Sequence, residues 1–169
     1  MTGGGAAAKG TGGSWPTRIQ LLLNEKRLRE QSFSKAEVAA LWHKAIVTAH
    51  DASLAKLGID SAIRLAYDAG HTAALAVLAS QGLRTANGQG HHEMAFYGAA
   101  AFDDLGLSDL VADSEEIRRL RHGSMYDPVI AGPKEKNDAI AWMRDTMPAL
   151  HAALLALDPT LAGKLRTYP

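Results

Sequence analysis

The sequence predicts an all-α protein, an antiparallel bundle of about five to six helices. Apolar residues recur at intervals of three and four over long stretches, and no segment shows the alternation of a half-buried strand. Hydrophobic residues make up 47% of the 169 residues, which is enough for one domain with its own core. We therefore expect a single helical domain over residues 15–169, preceded by a disordered Gly/Ala-rich tail over residues 1–14.

The first two predicted helices begin at polar capping residues. Ser14 is an N-cap candidate ahead of Pro16, and proline is favoured in the first turn of a helix. Ser34 and Glu37 have the spacing of a capping box, and Gly58 is the expected stop of the helix that follows. The two helices are expected to span residues 14–30 and 34–58.

The later helices are defined mainly by apolar stripes and by the residues that end them. The third has alanines and a glycine on its buried face, which permits a close approach of neighbouring helices, and Gly82 is its stop. Gly123 is the expected end of the fifth helix, and Pro148 predicts a kink in the sixth. The four helices are expected to span residues 60–82, 91–105, 108–122 and 133–157.

Charge, cysteine content and hydropathy exclude several classes of protein. Lys plus Arg equals Asp plus Glu at 18 each, so there is no global basic field for coating nucleic acid, although a local basic site is still allowed. The absence of cysteine excludes disulfide frameworks, thiolate catalysis and cysteine-based zinc sites. No segment has the length of a membrane span, and the N-terminal residues lack the features of a secretory signal. We expect a cytoplasmic protein that does not associate with membranes and has no cofactor.

The end of the fifth helix concentrates charge and proton-transfer groups. Three arginines and His122 fall within five residues, and Tyr126 and Asp127 follow. Arg118 and His122 are four residues apart and share a helix face. Guanidinium groups bind phosphate, and an imidazole or a phenol can transfer a proton. The pattern indicates Arg121, His122 and Tyr126 as catalytic candidates, with Arg118 and Asp127 as ligand-binding residues.

The same residues have a purely structural interpretation. Arg118, Arg119 and Arg121 can pair with Glu115, Glu116 and Asp127, and can complement the C-terminal dipole of the helix. A second basic run on the first helix, which follows Arg18 and includes Lys26, Arg27 and Arg29, is typical of a solvated face. It would extend a nucleic-acid surface only if the fold brought it beside Arg121.

Two adjacent histidines open the fourth helix. His91 and His92 point about 100° apart on a helix, and no HExxH pattern is present, so we expect no metal site. The expected roles are polar contacts at the helix start, or a contribution to a cleft beside Arg121 that makes both histidines ligand-binding candidates.

Three segments resemble the HEPN superfamily, which comprises small helical bundles of prokaryotic toxin–antitoxin and defence systems. They are residues 67–84, with the alanine-rich third helix, then Gly90–Glu93, and Arg118–Asp127. The resemblance covers about residues 15–157. It implies metal-independent RNA cleavage at a composite site of two protomers, where an arginine is followed after four to six residues by a histidine. Arg121 matches that arginine, and Tyr126 stands where the histidine is expected.

The resemblance also implies RNA or a nucleotide as ligand, a homodimer, and a cognate antitoxin or nucleotidyltransferase as partner. In some relatives such a transferase adenylylates a tyrosine, which makes Tyr126 a candidate acceptor. In RNA cleavage Arg121 would stabilise the phosphorane charge and His122 would act as acid or base. A phenol, with an ordinary pKa of about 10, is a poor base but can stack on a nucleobase. A metal-independent endoribonuclease, a non-catalytic module that binds RNA, a nucleotide or a protein, and a plain helical interaction protein all remain open.

Overall fold

The computed structural model describes residues 14–88, 90–102, 105–126 and 131–169, with side chains omitted for residues 124–126. The predicted tail therefore lies outside the described residues, except for Ser14. The described chain is a helical bundle, which confirms the predicted fold class. Its helices are α1 (Thr17–Asn24), α2 (Lys35–Ala52), α3 (Ile59–Ser80), α4 (His91–Ala100), α5 (Ser108–Tyr126) and α6 (Pro133–Leu157), with a short 3-10 turn at Pro159–Leu161.

Helix α3 is the centre of the bundle and packs against α2, α4, α5 and α6. Most of its buried residues are alanines, and Ala66, Ala69 and Ala73 have no exposed surface. Small side chains let the neighbouring helices approach closely, and those helices supply the bulk of the core. The large buried side chains that they contribute are Trp42, Met143, Met147, Leu150 and Leu154.

Gly70 of α3 and Trp142 of α6 approach each other closely in the core. A Cβ atom at Gly70 would lie 2.5 Å from Cη2 of the Trp142 indole, which is well inside van der Waals contact. The Tyr67 ring stacks on the same indole, with ring centres 6.3 Å apart. The absence of a side chain at Gly70 is therefore what allows the edge of the indole to approach α3 so closely.

A short two-stranded sheet corrects the expected end of the first helix. Helix α1 ends at Asn24 rather than near Glu30, and Lys26 then adopts a left-handed conformation (φ 57°). The chain continues as β1 (Leu28–Glu30), which pairs antiparallel with β2 (Leu83–Thr85). Leu28 and Leu83 are both buried, so the pairing is stabilised by tertiary packing. Three residues are too few to show a strand period in the sequence.

Two glycines expected to end helices behave differently. Gly82 adopts φ +69° just after α3, as a helix-ending glycine does. Gly123 does not adopt a positive φ, and α5 continues through it to Tyr126, so the predicted end of that helix at His122 was wrong. Glycine ends a helix only where the following chain turns away, which a sequence signal alone does not reveal.

The other helix boundaries agree in part with expectation. The capping box is present: the Ser34 hydroxyl accepts from the Glu37 amide at 3.2 Å, and the Ser34 amide donates to the Glu37 carboxylate at 2.6 Å. Helix α2 ends at Ala52, before Gly58, and α4 ends at Ala100 rather than Leu105. None of the helices within the described ranges combines the length and the apolar content needed to cross a lipid bilayer.

The tight contact at Gly70 predicts opposite effects for two Gly→Ala substitutions. Alanine in a helix interior ordinarily stabilises by about 0.5–1 kcal/mol relative to glycine. We expect Gly123→Ala, where nothing lies within 4 Å of the new methyl group, to show that gain in the free energy of unfolding. We expect Gly70→Ala to lower it by about 1–3 kcal/mol, because overpacking against Trp142 outweighs the propensity gain. Urea unfolding measures the free energy of unfolding of both variants. Equal effects of the two substitutions would contradict the tight contact between Gly70 and Trp142.

Candidate functional site

A cluster of charged and aromatic side chains lies where α3, α4 and α5 meet. We call it the Arg–His cluster. It consists of Tyr67, Asp68 and His71 of α3, His91, His92 and Glu93 of α4, and Arg118, Arg121 and His122 of α5. Each helix contributes residues that are close in sequence, and the packing of the three helices brings them together.

Arg118 links α5 to α4 through a pair of carboxylates. Its Nη2 atom lies 2.9 Å from Glu93 Oε1 and 3.3 Å from Glu115 Oε2. The three side chains are each about a quarter exposed, so the ion pairs are only partly screened by water. The structural interpretation of the sequence anticipated the pairing with Glu115. The pairing with Glu93 depends on the packing of α4 and was not anticipated.

Arg121 reaches across to two residues of α3. Its Nη2 atom lies 3.4 Å from Asp68 Oδ1, and its guanidinium carbon lies 5.4 Å from the centre of the Tyr67 ring. A cation over an aromatic face gains electrostatic attraction in addition to the ion pair. Arg121 is thus held in one place by a carboxylate and a ring, with 21% of its side chain exposed.

Three histidine rings extend from the start of α4 to the buried Tyr67. The His91 and His92 rings have centres 4.1 Å apart, and those of His92 and His71 are 4.9 Å apart. Nδ1 of His91 lies 2.8 Å from the Gly88 carbonyl oxygen, a polar contact at the helix start of the kind expected. Within the described residues, no group of three or more His, Asp or Glu side chains is arranged to hold a metal ion.

Burial sets the protonation state of the inner part of the cluster. It lowers the pKa of His71 to about 3, and repulsion from His92, His91 and Arg121 acts in the same direction. Burial also lowers the pKa of His92, again with repulsion from His91 and Arg121. It raises the pKa of Tyr67 to about 12, although the neighbouring arginines oppose the shift. Near neutral pH, both inner imidazoles are therefore uncharged and the phenol keeps its proton.

Several buried nitrogen atoms of the cluster have unused hydrogen-bonding capacity. Among the described residues, Nε2 of His71, Nδ1 of His92 and Nε of Arg118 have no hydrogen-bond partner. Leaving a buried polar group unsatisfied costs about 1–3 kcal/mol, so such atoms are uncommon in folded proteins. Three such atoms lie in one cluster, together with two guanidinium groups.

The structure gathers some of the predicted site residues and leaves others undescribed. Arg118, Arg121, His91 and His92 lie in one cluster, and His122 is an exposed residue whose charge contributes to lowering the pKa of His92. The backbone of Tyr126 forms the last residue of α5, but its side chain lies outside the described part of the chain, as does all of Asp127.

Sequence reasoning did not assign Tyr67, Asp68, His71 or Glu93 to the site. Asp68 and His71 carried a usable signal, because they are polar residues within a helix that otherwise buries alanines. Glu93 carried no such signal, since an acidic residue in the first turn of a helix is common on dipole grounds alone.

The lowered pKa of His71 predicts a pH-dependent stability. Between about pH 6.5 and pH 3 the unfolded chain binds a proton at this residue and the folded chain does not, so stability falls as pH falls. The groups that face His71 are Tyr67, His92, His91 and Arg121. We expect His71→Phe to abolish a loss of about 2–3 kcal/mol between about pH 7 and pH 4.

Urea unfolding across this pH range measures the effect, and exposed His43, changed to Phe, is the matched control. We expect the control to follow the wild-type curve. If the His71→Phe curve also ran parallel to wild type, burial of a neutral His71 would be disproved.

Comparison of this chain with protein-family models, curated proteins and solved structures finds no match in any of the three.

Proposed function

We propose that this chain is a HEPN-like RNA-directed protein of a toxin–antitoxin or defence module, and that it binds RNA through the Arg–His cluster. The observation that carries the proposal is the placement of Arg121, which Asp68 and the Tyr67 ring fix in position close to the histidines of α4. A guanidinium carries five N–H donors in a fixed planar arrangement, which matches the oxygen atoms of a phosphate. Assembly as a homodimer, a cytoplasmic location and an antitoxin or nucleotidyltransferase partner belong to the same proposal and rest on the resemblance.

Metal-independent RNA cleavage is the more demanding form of this function. It needs a base for the 2′-hydroxyl, an acid for the leaving 5′-oxygen and a cation for the developing charge. Arg121 would supply the cation. The exposed imidazole of His122 is one candidate acid or base, and the lowered pKa of His92 leaves that ring uncharged and able to accept a proton. Tyr126, with Asp127 beside it, would contact the substrate.

A specific observation favours the alternative, a non-catalytic module that binds RNA, a nucleotide or a protein partner. Carboxylates already pair with both arginines: Asp68 with Arg121, and Glu93 and Glu115 with Arg118. These pairs reduce the net positive charge available to stabilise a phosphorane. Tyr126 also replaces the histidine of the resembled motif. Recognition of a phosphate needs less charge than its cleavage, so binding alone is compatible with the same geometry.

The first test is RNA binding by the full-length protein, measured by fluorescence anisotropy with a short labelled single-stranded RNA. We expect Arg121→Ala to weaken binding several-fold and to make it less dependent on salt, because one phosphate contact is lost. The matched control is Arg119→Ala, which removes the same charge from an exposed position of the same helix. Circular dichroism establishes that both variants are folded. Absence of RNA binding by the wild type, or equal losses in the two variants, would refute the proposal.

RNA cleavage in excess EDTA then separates the two forms of the function. Cleavage by the wild type that falls by about 100-fold or more in Arg121→Ala, and also falls in His122→Ala, would identify a metal-independent endoribonuclease. RNA binding without cleavage would identify the non-catalytic module. Cleavage that survives both substitutions would place the reaction elsewhere or in a contaminant.

A further inference from the structure

A cleft lies next to the Arg–His cluster, between α1, α4 and the start of α5. We call it the α1–α4 cleft, defined by Arg18, Leu21, Arg27, Met94 and Tyr97, and its volume is about 640 Å³. Small-molecule sites commonly have volumes of about 300–1,000 Å³, so the cleft can accommodate a ligand of nucleotide size.

The cleft contains two arginines that are not engaged by the protein. Arg18 and Arg27 are both exposed, and within the described ranges neither guanidinium forms an ion pair or a hydrogen bond. The cleft is also lined by Glu93, but that carboxylate is bound to Arg118 at 2.9 Å. The cleft is therefore lined by two cations with no anionic partner among the described residues, and guanidinium groups of this kind bind phosphate or another strong anion.

The remaining surface of the cleft is apolar and partly aromatic. Tyr97 is 42% exposed and Leu21 is 55% exposed, and both are among the few large hydrophobic residues that the fold leaves accessible. Buried Met94 lies between them and the core. An exposed tyrosine ring beside free guanidinium groups offers a stacking surface for a planar base together with binding groups for the attached phosphate.

The basic run expected on the first helix lies beyond the end of α1 and divides between two clefts. Arg27 lines the α1–α4 cleft, whereas Lys26 and Arg29 line a separate cleft that includes Trp15 and Glu30. The left-handed backbone at Lys26 and the start of β1 turn neighbouring side chains to different sides. The positive charge of the α1–α4 cleft therefore comes from Arg18 and Arg27. Lys26 and Arg29 carry the same total charge but line the neighbouring cleft.

We propose that the α1–α4 cleft binds a nucleoside 5′-phosphate unit, with the phosphate on Arg18 and Arg27 and the base stacked on Tyr97. Glu93 lines the cleft and also pairs with Arg118, so the cleft adjoins the Arg–His cluster. A nucleotide adjoining the one bound at the cluster can therefore enter it. In this form the inference rests on the proposed RNA-directed function. A free nucleotide presents the same base and phosphate as a nucleotide unit of RNA. The experiment distinguishes these two sources of the ligand.

The experiment uses the full-length protein with two probes: a short 5′-fluorescein-labelled oligouridylate, measured by anisotropy, and AMP, measured by calorimetry. The variants are the double substitution Arg18→Ala/Arg27→Ala and the single substitution Tyr97→Ala. The control is Lys26→Ala/Arg29→Ala, which removes equal charge from the neighbouring cleft. All the substituted side chains are exposed, and circular dichroism verifies that each variant is folded.

We expect the Arg18→Ala/Arg27→Ala variant to reduce the slope of log K against log salt for RNA by about 0.7, since both arginines contact one phosphate and each neutralised phosphate of a single strand contributes about 0.7. We expect Tyr97→Ala to weaken RNA binding by about fivefold to 100-fold, the range measured for loss of one stacked base. The control should match the wild type. AMP binding that is lost in the double variant but retained in Arg121→Ala would identify the free nucleotide as the source.

The failures of the two proposals are distinguishable. If the Arg18→Ala/Arg27→Ala variant and its control bind both probes equally well, the cleft inference is overturned, while loss of RNA binding in Arg121→Ala would still support the proposed function. If the wild type binds AMP at the cleft but binds no RNA, the cleft inference holds in its free-nucleotide form and the proposed function fails. If the wild type binds neither probe, both are overturned.

Discussion

The close packing of α3 against its neighbours is the constraint on which the rest of the structure depends. Because Gly70 has no side chain, the Trp142 indole lies directly against the helix, and the adjacent alanines allow comparable approaches elsewhere along α3. Four helices can therefore surround α3, and α6 alone contributes four of the largest fully buried side chains, Met143, Met147, Leu150 and Leu154. Such a core tolerates added volume poorly, since every methyl group on α3 would displace a whole helix.

The same close packing determines where the Arg–His cluster lies and how it is charged. Tyr67, Asp68 and His71 interrupt the small-residue face of α3 at the place where α4 and α5 approach. Burial there leaves His71 neutral, and the Asp68 carboxylate remains exposed enough to pair with Arg121. Arginine keeps its charge in such surroundings, whereas histidine loses its proton, so one environment yields fixed cations beside neutral imidazoles.

The two basic regions of the molecule differ in how their charge is compensated. Carboxylates from three helices hold the arginines of the cluster in defined positions. The same carboxylates partly neutralise these arginines, so the arginines attract an anion less strongly. Arg18 and Arg27 in the α1–α4 cleft are exposed and have no ion-pair partner among the described residues. Glu93 lies at the boundary between the two regions, because it lines the cleft and also pairs with Arg118. Cations held in defined positions, as in the cluster, are suited to orienting a bound phosphate. Cations without a paired carboxylate, as in the cleft, are suited to attracting an anion from solution.

The sequence by itself determined the features that depend on neighbours one helical turn apart. These include the capping box at Ser34, the buried stripe of α3 and the concentration of arginines along α5. Packing between elements, by contrast, set the pairing of β1 with β2 and the ion pairs of Arg118 with Glu93 and of Arg121 with Asp68. Those features join segments that are distant in the chain, and the free energy that selects them comes from burial between helices. Local propensity and spacing do not encode that contribution.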